Sequence, residues 1–206
     1  MEFLKSSSFG NIVLVLTVIV TFFIWYNDKR QKIKDYAQLL LLQIRSIENG
    51  ITEIQTNGLD REFLNESPFL AIPILFDKNY WDEYSHLLLN KLGVTDYEVI
   101  SNFYEKSSRI KENQIEIKNK MKEFLYWRGY HIYNSKYSVG LDISKDSMMV
   151  NQIIDTIKDR EKVLGFSMYI PGEYPKQILK LLETYKPLRG TVAYSKLEEL
   201  SKIKVF

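Results

Sequence analysis

The stretch FGNIVLVLTVIVTFFIWYNDKR, Phe9 to Arg30, decides how the rest of this chain is read. From Phe9 to Tyr26 it carries 18 residues without a charge. As a helix rising about 1.5 Å per residue they cover roughly 27 Å of a hydrocarbon core about 30 Å thick. A cleaved leader is the competing reading, because Lys5 precedes the apolar run. No Ala-x-Ala site follows, however, and Phe22, Phe23, Trp25 and Tyr26 occupy the places where small residues would be needed. Those rings suit the interfacial belt of an uncleaved anchor. Lys29, Arg30, Lys32 and Lys34 lie just beyond them, whereas only Lys5 and the amino terminus are positive on the other flank. The bias places the N-terminus outside and the rest of the chain in the cytoplasm. The expected division is an external tail over 1–8, a transmembrane helix over 9–26, a juxtamembrane coiled-coil-like helix over 27–56 and a cytoplasmic helical domain over 57–206.

On a helix turning about 100° per residue, Gly10, Thr17, Thr21 and Asp28 fall within about 40° of one another, with Ser7 beside them. A lone span needs no such stripe. Associating spans use one, because small residues let backbones approach and hydroxyls bond across helices in lipid. A ring of such helices would line a narrow wet path with Asp28 at its inner mouth. The alternative is local, with each threonine bonding the carbonyl four residues back.

Past the span the helical pattern runs without Pro or Gly to Asn49-Gly50. Ile33, Ala37, Leu40, Ile44 and Ile47 recur at spacings of 4, 3, 4 and 3, the seam of a coiled coil or of a bundle helix. This seam sits nearly opposite the hydroxyl stripe. The following stretch, with Gly58, Pro68 and Pro73, reads as a wrapped connection plugged by Phe69, Leu70, Ile72 and Leu75. Asp77 is the expected cap of a helix showing Tyr80, Trp81, Tyr84, Leu87 and Leu88 on one side and ending at Gly93.

Thr95 and Glu98 form a capping-box pattern that opens the longest helix of the domain, about Asp96 to Arg128. Its buried line is predicted as Ile100, Phe103, Ser107, Ile110, Gln114, Ile117, Met121 and Phe124. The two polar members either set register or lie where the partner helix has ended. A helix from Ser144 or Asp146 to Gly165, one after Pro175 and a last one holding Ala193, Leu197, Leu200 and Ile203 follow, with short strands expected at 137–143 and 165–170. The fold class is therefore mainly α, one transmembrane helix continuing into a cytoplasmic helical domain.

Composition narrows the chemistry. Cysteine is absent, which removes disulfides, thiolate nucleophiles and Cys-based metal sites and fits a reducing compartment. Lys and Arg number 28 against 26 Asp and Glu, a net +2 too even for a duplex-DNA binder that works through long-range charge. No Walker loop, dinucleotide Gly triplet or His-Glu-x-x-His pattern occurs, and His86 and His131 stand in no triad context. No catalytic residue, metal ligand or cofactor is expected. One stretch stands apart: Tyr126, Trp127, Arg128, Tyr130 and Lys136 within YWRGYHIYNSKY, in a region from Glu105 to Lys136 with eight basic residues against four acidic. Bases stack on such rings at about 1 to 3 kcal/mol each and arginine pairs with phosphates, so this is stock for a nucleotide or short single strand. The structural alternative takes Gly129 as a helix C′ residue with the rings packing back onto the core.

With an apolar helix at Asn11 to Tyr26 joined to a cytoplasmic sensor-sized domain, the chain resembles in outline the small single-span effectors of bacterial anti-phage defence. The helical pattern from Asp77 to Arg128 departs from the α/β nucleotide-binding domain of the CARF-type membrane effector and is more similar to the Hailong-type channel effector. The likeness is one of architecture. It implies a homo-oligomeric channel that depolarises the bacterial inner membrane, controlled by an oligonucleotide that a partner nucleotidyltransferase makes. No ligand residue is carried over by it. The alternative reading is a membrane-tethered scaffold or regulator whose helical domain docks a cytosolic protein.

Overall fold

The structure is a computed structural model that describes residues 7–60, 63–138, 151 and 173–202. The fold is mainly α. Helix α1 spans Ser7–Glu53 and passes into a π-helical turn at Ile54–Gly58. A minimal antiparallel pair, β1 (Leu59–Asp60) and β2 (Phe63–Leu64), sets Leu59 opposite Leu64. Then come α2 (Glu66–Ala71), α3 (Tyr80–Leu92), α4 (Val94–Ser138), α5 (Glu173–Thr184) and α6 (Val192–Ser201). The expected helix over 144–165, apart from Asn151, which is helical, and the strand at 165–170 lie outside the described residues. So does the strand at 137–143 except for Tyr137 and Ser138, which are helical.

The chain divides into two compact units, Met1–Arg45 with Asn79–Ser101 and Leu188–Phe206, and Ser46–Lys78 with Asn102–Pro187. In the first, the α1 seam is buried inside its own chain: Ile33, Ala37, Leu40 and Ile44 lose nearly all solvent contact, in the company of Trp81, Leu88, Leu92, Ile100, Ala193 and Leu197. Each such aliphatic side chain contributes about 1.5–3 kcal/mol on burial. The open choice between coiled coil and bundle helix is thereby resolved, since the seam faces the protein's own core.

Polar groups fix the helix ends of this unit. The cap of α3 is Asn79 rather than the expected Asp77: its side-chain oxygen accepts from Trp81 N–H at 3.0 Å. The buried Gln43 of α1 adds a second acceptor, for Tyr80 N–H at 3.1 Å. Two orphan amides of the first turn are thus satisfied. Gly93, with φ +78°, turns α3 directly into α4. Helix α4 accordingly begins at Val94, and Tyr97 N–H bonds the Gly93 carbonyl at 3.0 Å. The capping box predicted for Thr95 and Glu98 does not form, because Thr95 already lies within the helix. Lys196 of α6 closes this corner, donating to the Leu92 carbonyl at the end of α3 and to Asp96 in the first turn of α4. The ammonium at the α3 C-terminus and the Asp96 carboxylate at the α4 N-terminus each match the helix dipole there. Arg45 Nε bonds the Tyr194 hydroxyl at 2.8 Å, and Arg189 bonds the Arg45 carbonyl at 3.2 Å.

In the second unit, α1 runs on through Asn49-Gly50 to Glu53. Gly50 serves close packing: a Cβ there would meet Leu75 Cδ2 at 2.8 Å. Gly58 is hemmed in on two sides, with Phe69 Cδ2 at 2.9 Å and Ile72 Cδ1 at 3.1 Å from the position of a Cβ. Phe69, Ile72, Leu75 and Phe76 are all buried, while Leu70, expected beside them, is only half-buried.

The connection after α2, 72–77, carries no regular structure that could satisfy its backbone, and α4 supplies partners to it and to the end of α2. Gln114, fully buried, accepts from Leu75 N–H at 3.2 Å and donates to the Pro73 carbonyl at 2.8 Å. Lys111 donates to the Asp77 carbonyl at 3.0 Å, and Lys118 to the carbonyls of Leu70, at 3.0 Å, and Ile72. Burial, with Lys122 nearby, holds the Lys118 ammonium below the usual lysine range. Gln114 therefore binds a loop backbone, which is neither of the two roles its place in the buried line left open. Ser107 bonds its own helix, Oγ to the Phe103 carbonyl at 2.8 Å. The rest of the predicted line is buried from Ile100 to Met121, with Phe124 half-buried.

Candidate functional site

The N-terminal part of α1 is a helix long and apolar enough to cross a membrane, and none of that apolar window is buried in the chain. Every residue from Asn11 to Tyr26 is exposed, including Leu14, Ile19, Phe22 and Trp25. A run of branched aliphatics with this exposure far exceeds the apolar patches of water-soluble surfaces and suits hydrocarbon, where a helix satisfies its own backbone.

Within the span, the hydroxyls of the predicted stripe are engaged locally. Thr17 Oγ1 donates to the Val13 carbonyl and Thr21 Oγ1 to the Thr17 carbonyl, each at 2.8 Å. Each oxygen keeps lone pairs for a donor from another helix. Asp28 pairs with Lys32 at 3.0 Å, one turn further along the same helix. That hydrogen bond and charge push the Lys32 ammonium above its usual value. Gly10 lies on the same helix. The structure thus brings Gly10, Thr17, Thr21 and Asp28 onto one rod.

At the base of the span the aromatic residues and the first cations form a stacked collar. Phe22 lies 5.8 Å from Trp25 and 6.5 Å from Tyr26, centroid to centroid. Lys29 sits over the Trp25 ring at 5.3 Å and Arg30 over Tyr26 at 5.4 Å. Amphipathic rings with cations above them match the headgroup level of a bilayer. These pairs were not singled out from the sequence, although their i, i+3 and i, i+4 spacings were visible there.

The second predicted site falls near the end of α4. Helix α4 passes through Gly129 without a break and continues to Ser138, so Gly129 is not a C′ residue. Nor are the rings folded back onto the core: Tyr126 is 80 % exposed, Trp127 55 % and Tyr130 56 %. Arg128 and Lys136 stand on the same helix, their side chains outside the described residues. Phe124 and Trp127 meet at 5.6 Å. Among the described residues, no group of three or more His, Asp or Glu is placed to hold a metal ion.

The fold and the span together define a mainly α chain with, among the described residues, one candidate membrane-crossing helix near its N-terminus. In comparison with known proteins, no family model matches this chain, and neither a curated protein nor a solved structure matches it.

Proposed function

We propose that the protein is a non-enzymatic, single-pass effector of the bacterial inner membrane that self-associates through its span into a gated ion path. The N-terminus lies outside and the helical domain in the cytoplasm. The observation that carries this reading is the unbroken α1, exposed and apolar through Tyr26 and, from Ile33 onward, buried along one face in its own chain. One rigid element joins bilayer and core, so a change in core packing reaches the span without an intervening hinge. Gating then requires a ligand that binds two states of the assembly unequally, since equal binding shifts nothing. The exposed rings at Tyr126, Trp127 and Tyr130, with Arg128 and Lys136, are the proposed contact for a nucleotide or short oligonucleotide made by a partner nucleotidyltransferase.

A second reading, a membrane-tethered scaffold, is favoured by one feature: the Thr17 and Thr21 hydroxyls already have partners in their own helix. The double variant Thr17→Leu/Thr21→Leu separates the two, because leucine preserves anchoring. Interhelical hydrogen bonds in lipid average about 0.6 kcal/mol, so losing two per copy weakens association roughly tenfold. Under the effector reading, potential-sensitive dye in proteoliposomes reports reduced ion leak and detergent-solubilised oligomer declines. An unchanged leak and an unchanged oligomer leave the tether.

A further inference from the structure

We infer that the exposed face of α1 beyond the bilayer, carrying Leu39 and Leu42, is the contact surface for a second, parallel copy of this chain. The choice of occupant rests on the self-association proposed above. The starting observation is that the regular apolar seam of this helix is not available. Ile33, Ala37, Leu40 and Ile44 are covered by the chain's own core. Yet Leu39 remains 37 % exposed and Leu42 63 %. Scattered exposed leucines are ordinary on a protein surface, so their exposure alone selects nothing.

Position selects. At about 100° per residue, Thr17, Thr21, Asp28, Asp35, Leu39 and Leu42 fall within about 60° of arc. The hydroxyl stripe in the lipid and the leucine pair outside it are one line along one helix. The bilayer gives every copy the same orientation and depth. Copies that meet at Thr17 and Thr21 therefore bring Leu39 and Leu42 to the same level, where a helix–helix contact removes them from water. A cytosolic partner of other composition would have no reason to follow a line that continues into the membrane.

Charge on this face is self-complementary. Between the span and the leucines it presents Asp28 and Asp35, with Lys32 about 60° round from Asp35. Lys32 and Asp28 are each 59 % exposed although paired, and an ammonium has three donors. A parallel neighbour can thus place its Asp35 or Asp28 against this Lys32. The offset between the buried seam and the hydroxyl stripe then has a physical reason: one side of α1 folds the chain and the other joins copies.

The chain has no cysteine, so single cysteines report without background. Leu39→Cys, Leu42→Cys, Thr17→Cys and Thr21→Cys are oxidised in native membranes, with Leu89→Cys and Val94→Cys, exposed elsewhere in the fold, as references. Disulfides need Cβ atoms within about 4.5 Å. The expected result is covalent dimer at Leu39 or Leu42 at least about fivefold above both references. Dimer no greater than at Leu89 and Val94 overturns the inference. The threonine pair reads the membrane proposal separately: cross-links there with none at the leucines leave span association standing and remove the stem surface. Cross-links at the leucines alone support the stem surface and remove the stripe. Leu39→Glu/Leu42→Glu, at solvent-exposed sites, keeps helical circular dichroism and shifts the solubilised oligomer toward monomer; an unshifted oligomer counts against the surface.

Discussion

Gln114 shows what a single side chain contributes in this fold. Its amide meets one backbone donor and one backbone acceptor of the loop at 3.2 and 2.8 Å. Replacing it with leucine leaves Leu75 N–H and the Pro73 carbonyl buried without those partners, at about 1–3 kcal/mol each. Urea unfolding in detergent, followed by tryptophan fluorescence, is expected to register a loss of roughly 2–4 kcal/mol, while a substitution at exposed Asn119 registers almost none. Lys118, on the same helix face, adds a pH signature. Burial disfavours its charged form in the fold. In the alkaline range just below the ordinary lysine value of about 10.4, the unfolded chain therefore holds more protons and stability rises with pH. Lys118→Met removes that rise. Tyr104, whose phenol burial pushes upward, acts in the opposite sense above about pH 10, which confines the comparison to lower pH. These roles were hidden in the sequence, because Gln114 and Lys118 act on backbone 39 to 48 residues away, a distance over which one chain's pattern carries no signal.

Elements were legible where periodicity governs them. The seam from Ile33 to Ile47 and the line from Ile100 to Met121 are buried as their 3-and-4 spacing requires. Ends were less legible, since several residues compete for each cap. Asn79 prevails over Asp77, and Gly93 serves two helices at once, displacing the Thr95–Glu98 box. One glycine misled: at Gly129 the helix continues, with nothing within 4 Å of a Cβ, whereas Gly50, also inside its helix, makes room for Leu75. At the α1 terminus, Gly58 is wedged under the Phe69 ring and Ile72 where the helix widens into a π turn. Gly58→Ala is expected to cost about 1–3 kcal/mol through overpacking. Gly129→Ala, with open space and a better helix former, is expected to stabilise α4 by up to about 1 kcal/mol. Thermal melts of the two variants moving in the same direction would contradict this account.

For the whole molecule the decisive feature is that one helix, α1, carries both the exposed apolar stretch and the buried seam. It has no proline between the span and the core, and its exposed line keeps one azimuth from Thr17 to Leu42. Phase along this rod should therefore matter more than length. Inserting two alanines between Arg30 and Gln31 rotates the span by about 200° relative to the core and separates the stripe from the leucine pair. Seven alanines rotate it by only about 20° overall and restore the line. Native-state oligomer and ion leak are expected to be lost with two and retained with seven. The most direct measurement concerns the span itself. In intact cells, a membrane-impermeant maleimide is expected to label Ser8→Cys from outside, to label Glu183→Cys only after lysis, and to leave Leu16→Cys and Ile19→Cys unlabelled in both conditions. Labelling of Leu16→Cys and Ile19→Cys at the rate of Glu183→Cys in lysed cells would place this helix in water and contradict the account.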